Sequence, residues 1–241
     1  MANFILIHGA WHGGWCWEEI VPALAHLGHR VLAPDLPGMG EDAASGHIAT
    51  LDEWAMFVAG MASGMEGPTI LAGHSRGGMI ISRAAELAPH AMKRLVYVTA
   101  MMPLPGESMG QIVGEFAPNH KSGLADAVRP TADGRATVCH GREAAIATFY
   151  NTSPADRAEA AFARLTAEPT VMLTTPVALT EARYGSVPRT YVRCDEDRAL
   201  PLALQDHLIA RQPCDVASLH ADHSPFYSAP AELSDLLHRI A

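Results

Sequence analysis

Apolar runs of strand length alternate along this chain with segments of helix length, and that alternation admits few folds. Strands joined through helices lie parallel in one sheet, with the helices covering both of its faces. The strand-length runs are Phe4 to Ile7, Arg30 to Ala33, Thr69 to Ala72, Arg94 to Val98, Thr190 to Arg193 and Val216 to Leu219. The apolar spacing predicts helices over about Trp17 to Leu27, Leu51 to Met65, Gly77 to Leu87, Pro201 to Arg211 and Ala229 to Ile240. Gly28 is placed to stop the first helix, and Pro89 stands beyond the third. With 241 residues, 49% of them hydrophobic and 18% charged, the chain can bury the core of an α/β domain with a doubly wound, mainly parallel sheet of about six strands.

From about Met102 to Tyr184 the alternation fails. Short helical pieces, Arg142 to Phe149 and Pro154 to Leu165, follow one another without strands of comparable strength. The expected organisation is a core over 1–101, an inserted helical cap over 102–185 and the rest of the core over 186–241. Ser153 is expected to cap the second piece, with Pro154 at its first position and Asp156 facing the positive helix end.

Charge narrows the partners. A formal net charge of −9 repels phosphate backbones and anionic membrane surfaces, and no run of Lys or Arg offsets it locally. The apolar start at Phe4 to Ile7 is too short for a secretory h-region or a spanning helix, so the expected location is cytoplasmic. Cys16, Cys139, Cys194 and Cys214 are scattered, with no Cys-x-x-Cys pair and no zinc spacing, and read as reduced thiols. The expected partner is a small molecule, with neither nucleic acid nor membrane. A homodimer is allowed for.

The chemistry centres on Gly73-His74-Ser75-Arg76-Gly77. A bare Gly-x-Ser-x-Gly match is weak; between a strand and a helix it has a mechanism. The serine takes a strained backbone conformation that lifts Oγ clear of the sheet, and the flanking glycines let strand and helix approach closely. Oγ then stands at a helix N-terminus, with the Arg76 N–H beside any oxyanion that forms. A serine hydroxyl needs a base, and the base needs an acid to hold its tautomer. In a doubly wound sheet both belong on loops after later strands, acid before base. Two loops fit, Cys194-Asp-Glu-Asp-Arg198 and His220-Ala-Asp-His-Ser224. His223 is the expected base, because it lies just past the last strand with a helix following. His220 is close enough to the strand end to be a packed edge residue. Spacing alone leaves Asp195, Glu196 and Asp197 all open as the acid. The second oxyanion donor is expected from the loop after the first strand, at the Ala10 N–H.

Four blocks carry a resemblance: Phe4 to Trp17, Gly73 to Gly78, Tyr184 to Asp197 and Ala221-Asp-His223. They resemble the plant methylesterase and hydroxynitrile lyase branch of the α/β-hydrolase superfamily, bacterial carboxylesterases included. The likeness covers nearly the whole chain and is weakest over Met102 to Thr137. It implies the α/β-hydrolase fold, Asp197 as the acid, a cap over the site, and no metal or organic cofactor. It also implies Met101 as a substrate-lining residue; Trp11, which flanks the elbow in the first loop, is expected to line the pocket with it. The activity implied is that of a serine carboxylesterase cleaving esters of small apolar or aromatic substrates through an acyl-enzyme. Lyases of the same branch use the same Ser-Asp-His set, but resemble one another in a threonine in the first oxyanion loop and a lysine after the histidine. This chain has Gly9 and Ser224 there. A small-molecule receptor or carrier on the same scaffold is the other alternative. Arg76 departs from the apolar residue commoner after the nucleophile.

Overall fold

The computed structural model describes residues 1–116 and 122–241. The first part is a run of strand and helix: β1 (Asn3–Ile7), α1 (Ile20–His26), β2 (Arg30–Leu32), α2 (Leu51–Ser63), β3 (Thr69–Ser75), α3 (Gly77–Leu87) and β4 (Met92–Ala100). The alternation resumes at β8 (Arg189–Cys194), followed by α9 (Leu202–Ala210), β9 (Asp215–Leu219), α10 (Pro225–Ser228) and α11 (Pro230–Ile240). These strands form one six-stranded sheet in the order β2-β1-β3-β4-β8-β9. Every neighbouring pair is parallel.

Burial follows position in that order. The central β3 is buried along its whole length, whereas the edge strands β2 and β9 are largely open. The strand order reverses between β1 and β3, which leaves a crevice beyond their carboxyl ends where a doubly wound sheet accepts ligands. Local signals set the helix ends. The Thr50 hydroxyl accepts the Glu53 N–H at the start of α2, and α11 buries Leu233, Leu236 and Leu237 at helical spacing.

The segment between β4 and β8 holds the two short helices expected there, α6 (Arg142–Phe149) and α7 (Ala155–Phe162), together with α4 (Met109–Phe116), α5 (Leu124–Ala127) and α8 (Val171–Thr174), which the pattern did not mark. It also holds a feature absent from the sequence reading, a three-stranded antiparallel sheet of β5 (Val128–Pro130), β6 (Ala136–Cys139) and β7 (Glu168–Pro169). Ser153 does not cap α7; Pro154 takes the cap position instead. The Ser153 hydroxyl and N–H both donate to Asp222 Oδ2, at 2.9 and 2.8 Å, and the Thr152 N–H joins them at 2.9 Å. A buried carboxylate on the 220–224 loop thus anchors the inserted segment. Among the described residues, no helix is long and apolar enough to cross a membrane.

Candidate active site

Ser75 ends β3, and α3 begins two residues later. Its φ is +52°, a left-handed value that a residue with a Cβ adopts at a cost of about 1–3 kcal/mol. The turn is as tight as the motif predicts: a Cβ on Gly73 would lie 2.7 Å from the Gly77 carbonyl oxygen. Only glycine lets the end of β3 meet the first turn of α3 this closely.

The loops after β8 and β9 bring two further groups to the serine. His223 Nε2 is 3.1 Å from Ser75 Oγ, and His223 Nδ1 is 2.7 Å from Asp197 Oδ2. Asp197 is fixed on its other side, where Oδ1 accepts the N–H groups of Ala199 and Leu200 at 2.7 and 2.8 Å. The Thr99 hydroxyl also donates to Asp197 Oδ2. A carboxylate facing Nδ1 keeps the proton there, leaving the Nε2 lone pair for the serine O–H. Such a chain can withdraw the hydroxyl proton as Oγ attacks a carbonyl carbon.

Of the other candidates on these loops, His220 is exposed rather than packed at the strand edge. Its Nδ1 lies 3.1 Å from Asp195 Oδ1, away from the serine. Asp195, Glu196 and His220 bring three potential ligand atoms within 4.8 Å of one another. Surface acids commonly gather in this way without an ion.

The loop after β1 is held by a second network. The His8 Nε2 accepts the Leu36 N–H at 3.2 Å, so its Nδ1 carries the proton and donates to the Gly9 carbonyl at 2.9 Å. His12 Nδ1 donates to the Ala10 carbonyl at 2.7 Å and its Nε2 accepts the Tyr150 hydroxyl at 2.7 Å. The proton placement follows from charge. Burial pushes His12 down to about 4, so the ring is neutral and has one N–H to give. Burial likewise holds His8 and His74 well below the usual histidine value. His74 donates from Nε2 to the His223 carbonyl at 2.6 Å, tying the elbow to the loop that carries His223.

Arg76 is 1% exposed, and its side chain turns into the protein. Nη2 donates to the Gly9 carbonyl at 2.8 Å, Nε pairs with Glu168 Oε1 at 2.8 Å, and the guanidinium carbon lies 4.2 Å from the centre of the Trp54 ring. Glu168, on β7, accepts the Trp11 N–H at 3.3 Å through its other oxygen. Burial lifts its carboxyl to about 7 against the opposing pull of Arg76.

Ala10, Trp11, Ser75, Arg76, Met101 and His223 all line one cavity of about 900 Å³. Asp197 stands behind His223. The rest of the wall is mostly apolar and comes from both sides: Met109, Val113 and Leu173 from the inserted segment, Leu200 and Leu204 from the core. Gly110, Gly114, Ala125 and Ala199 put little bulk into the wall, which leaves the volume open.

Residues 4–236 match the model of the alpha/beta hydrolase family. The chain belongs to that family. This alpha/beta hydrolase is 33% identical to a pyrethroid hydrolase of Sphingobium wenxiniae, over 98% of its own length and 86% of the relative's. It is 31% identical to methylesterase 9 of Arabidopsis thaliana, over 100% and 98% of the two chains. The crystal structure of a pyrethroid hydrolase from Sphingobium faniae superposes with a TM-score of 0.90 at 31% identity, covering 99% of this chain and 96% of that one. The branch that the sequence resembles, plant methylesterases with bacterial esterases, is the one these relatives occupy.

Two residues of the hydrolase site have no counterpart in the sequence reading. Thr99 has φ +37° next to the end of β4, and nothing in its neighbourhood along the chain marks it. Glu168 lies far from every motif; the unusual Arg76 was the one signal that a buried partner was required.

Proposed function

We propose that this alpha/beta hydrolase is a carboxylesterase in which Ser75 is the nucleophile, His223 the general base and Asp197 the acid that orients it. The observation that carries the reading is the unbroken chain from Ser75 Oγ to His223 Nε2 and from His223 Nδ1 to Asp197 Oδ2, at 3.1 and 2.7 Å, beside an apolar cavity. In the first half-reaction Ser75 Oγ bonds to the ester carbonyl carbon, its proton passes to His223 Nε2, and the carbonyl oxygen becomes an oxyanion facing the Ala10 and Arg76 N–H groups. Collapse breaks the bond to the alkoxy oxygen, which takes the proton from His223. Water then repeats the sequence on the acyl-enzyme and frees the acid.

The inserted segment 102–185 acts as the cap that selects the substrate. Its apolar wall favours esters of small apolar or aromatic acids and alcohols, and the volume leaves room for a ring on each side of the ester bond. The pyrethroid hydrolase relatives point to the same class of apolar ester. Four free cysteines are in keeping with work in the reducing cytoplasm.

Gly9 weighs against the cyanohydrin-cleaving alternative. A Cβ there would sit 2.8 Å from His74 Nδ1 and 2.9 Å from Ser75 Cβ, so the threonine of the lyases has no space in this loop. The purified protein should therefore hydrolyse nitrophenyl esters, with kcat/KM measured from acetate to palmitate rising modestly and then falling once the cavity is full. About 0.8 kcal/mol per buried methylene sets the early slope. Tight binding of esters without turnover would instead make the protein a receptor, and a profile rising beyond about ten carbons would make the site an open groove.

A further inference from the structure

One residue, Arg76, touches both halves of the oxyanion site. Its own N–H is one donor. The guanidinium binds the other half indirectly, because Nη2 donates to the carbonyl oxygen of Gly9, at 2.8 Å. That carbonyl belongs to the peptide whose N–H is contributed by Ala10. In a planar trans peptide the C=O and N–H point in opposite directions, so fixing the oxygen on one side aims the hydrogen on the other. Drawing electron density toward the oxygen also makes the N–H a better donor.

The guanidinium is held in turn. Glu168 pairs with Nε at 2.8 Å through one oxygen and accepts the Trp11 N–H at 3.3 Å through the other, so it braces the loop one residue beyond Ala10. The backbone continues the brace, since the Thr166 N–H donates to the Trp11 carbonyl at 2.8 Å. Trp11 has φ +62°, a strained value that persists where the surroundings over-determine it. Arg76 is 1% and Glu168 3% exposed. A buried ion pair is an inefficient way to gain stability, since removing both charges from water offsets much of their attraction. A role in geometry explains it better.

We propose that Arg76 and Glu168 are positioning residues for catalysis: together they lock the Gly9–Ala10 peptide so that the Ala10 N–H points at the developing oxyanion. The proposal rests on the reading of Ser75 as the nucleophile. It gives the inserted segment a part in the chemistry, because Glu168 belongs to β7 of that segment, whereas every group it steadies belongs to the core.

The test compares Arg76→Met combined with Glu168→Gln, which leaves no lone buried charge, with Glu168→Gln alone and with Arg76→Lys. Two readouts separate positioning from folding. The first is the division of any loss between kcat and KM. The second is inhibition by an aryl trifluoromethyl ketone: Ser75 Oγ adds to the ketone carbon, its proton passes to His223 Nε2, and the carbonyl oxygen takes the negative charge that the donors must hold. For the double variant we expect kcat to fall about ten- to a hundredfold, less than the loss of a donor outright, with KM within about threefold. Affinity for the ketone should drop by a similar factor, and Arg76→Lys should recover part of both. Glu168→Gln alone should show a smaller loss of the same kind, which keeps the idea testable if the double variant fails to fold. A folded variant with kcat within twofold of wild type, or with its whole loss in KM, would overturn the proposal alone. Absence of any turnover that Ser75→Ala removes in the otherwise wild-type protein would overturn it together with the esterase reading.

Discussion

Thr99 donates its hydroxyl to Asp197 Oδ2, the same oxygen that faces His223 Nδ1. The carboxylate therefore has both oxygens engaged, and it cannot rotate away from the imidazole without breaking several hydrogen bonds. This separates Asp197 from Asp195, which faces the exposed His220 at the surface.

Asp197→Asn should accordingly reduce turnover by orders of magnitude, since an amide no longer holds the imidazole in the required tautomer or stabilises its charged form. Asp195→Asn should stay near wild type. Steady-state rates on a nitrophenyl ester decide this, and the reverse result would reassign the acid.

Ser75→Ala should leave a folded protein with activity about 10⁵ to 10⁶ lower in kcat, because base and acid have nothing to activate. Removing the hydroxyl disturbs no packing that the elbow depends on, and the melting temperature should change little. More than a few per cent residual activity would refute the nucleophile assignment.

The site should not release cyanide from mandelonitrile above the buffer rate. Gly9→Thr should damage ester hydrolysis as well, for the added Cβ collides with His74 and Ser75. Enzyme-dependent cyanide release that disappears in Ser75→Ala would move the protein to the lyases.

Acid should destabilise the fold in a definite window. Burial holds His12 down to about 4, and holds His8 and His74 well below their ordinary value, so all three stay neutral in the native state. Unfolded, each takes up a proton near 6.5. The unfolded chain then binds more protons, and stability that is fully present above about pH 6.5 is lost as the pH falls toward 4, at about 1.4 kcal/mol per pH unit for each group. Glu168 has the opposite sign: raised to about 7, it gives up stability as the pH rises from 4.5. The clean measurement is the difference between wild type and His12→Gln in urea melts from pH 7 to 4.5, where the variant should show the shallower dependence. Parallel pH profiles would show that His12 is not held neutral.

The legible parts of the sequence were those with local causes. Gly77 to Leu87 is a helix with the bounds that its pattern predicts, between a glycine elbow and Pro89. The read strand Thr69 to Ala72 runs on to Ser75 in the structure, because His74 and Ser75 still pair with β4 although their chemistry resembles that of a loop. Turn chemistry and loop order pointed to Ser75 and His223 and the resemblance to Asp197, and these are the three side chains that the fold brings into one hydrogen-bonded chain. Parts with distant causes were not visible. The strands β5 to β7 are two to four residues long, too short to show a period, and their pairing is decided across the chain. Ser153 fits a helix cap perfectly well in sequence, but the buried Asp222 recruits its hydroxyl. The partner of Arg76 could not be named from any window containing Arg76.

The order of strands in the sheet also has a consequence for how the molecule comes to life. Ser75 ends β3 near the middle of the sheet, but His223 hangs on the loop beyond β9, an edge strand that pairs with β8. Distant contacts of this kind close slowly, since the chain must give up loop entropy before they return any stabilisation. Competence to turn over substrate should consequently be among the last properties a refolding molecule recovers, lagging behind the burial of Trp54 and the helical signal. Activity regained after dilution from denaturant then serves as a clock for the docking of the final strand.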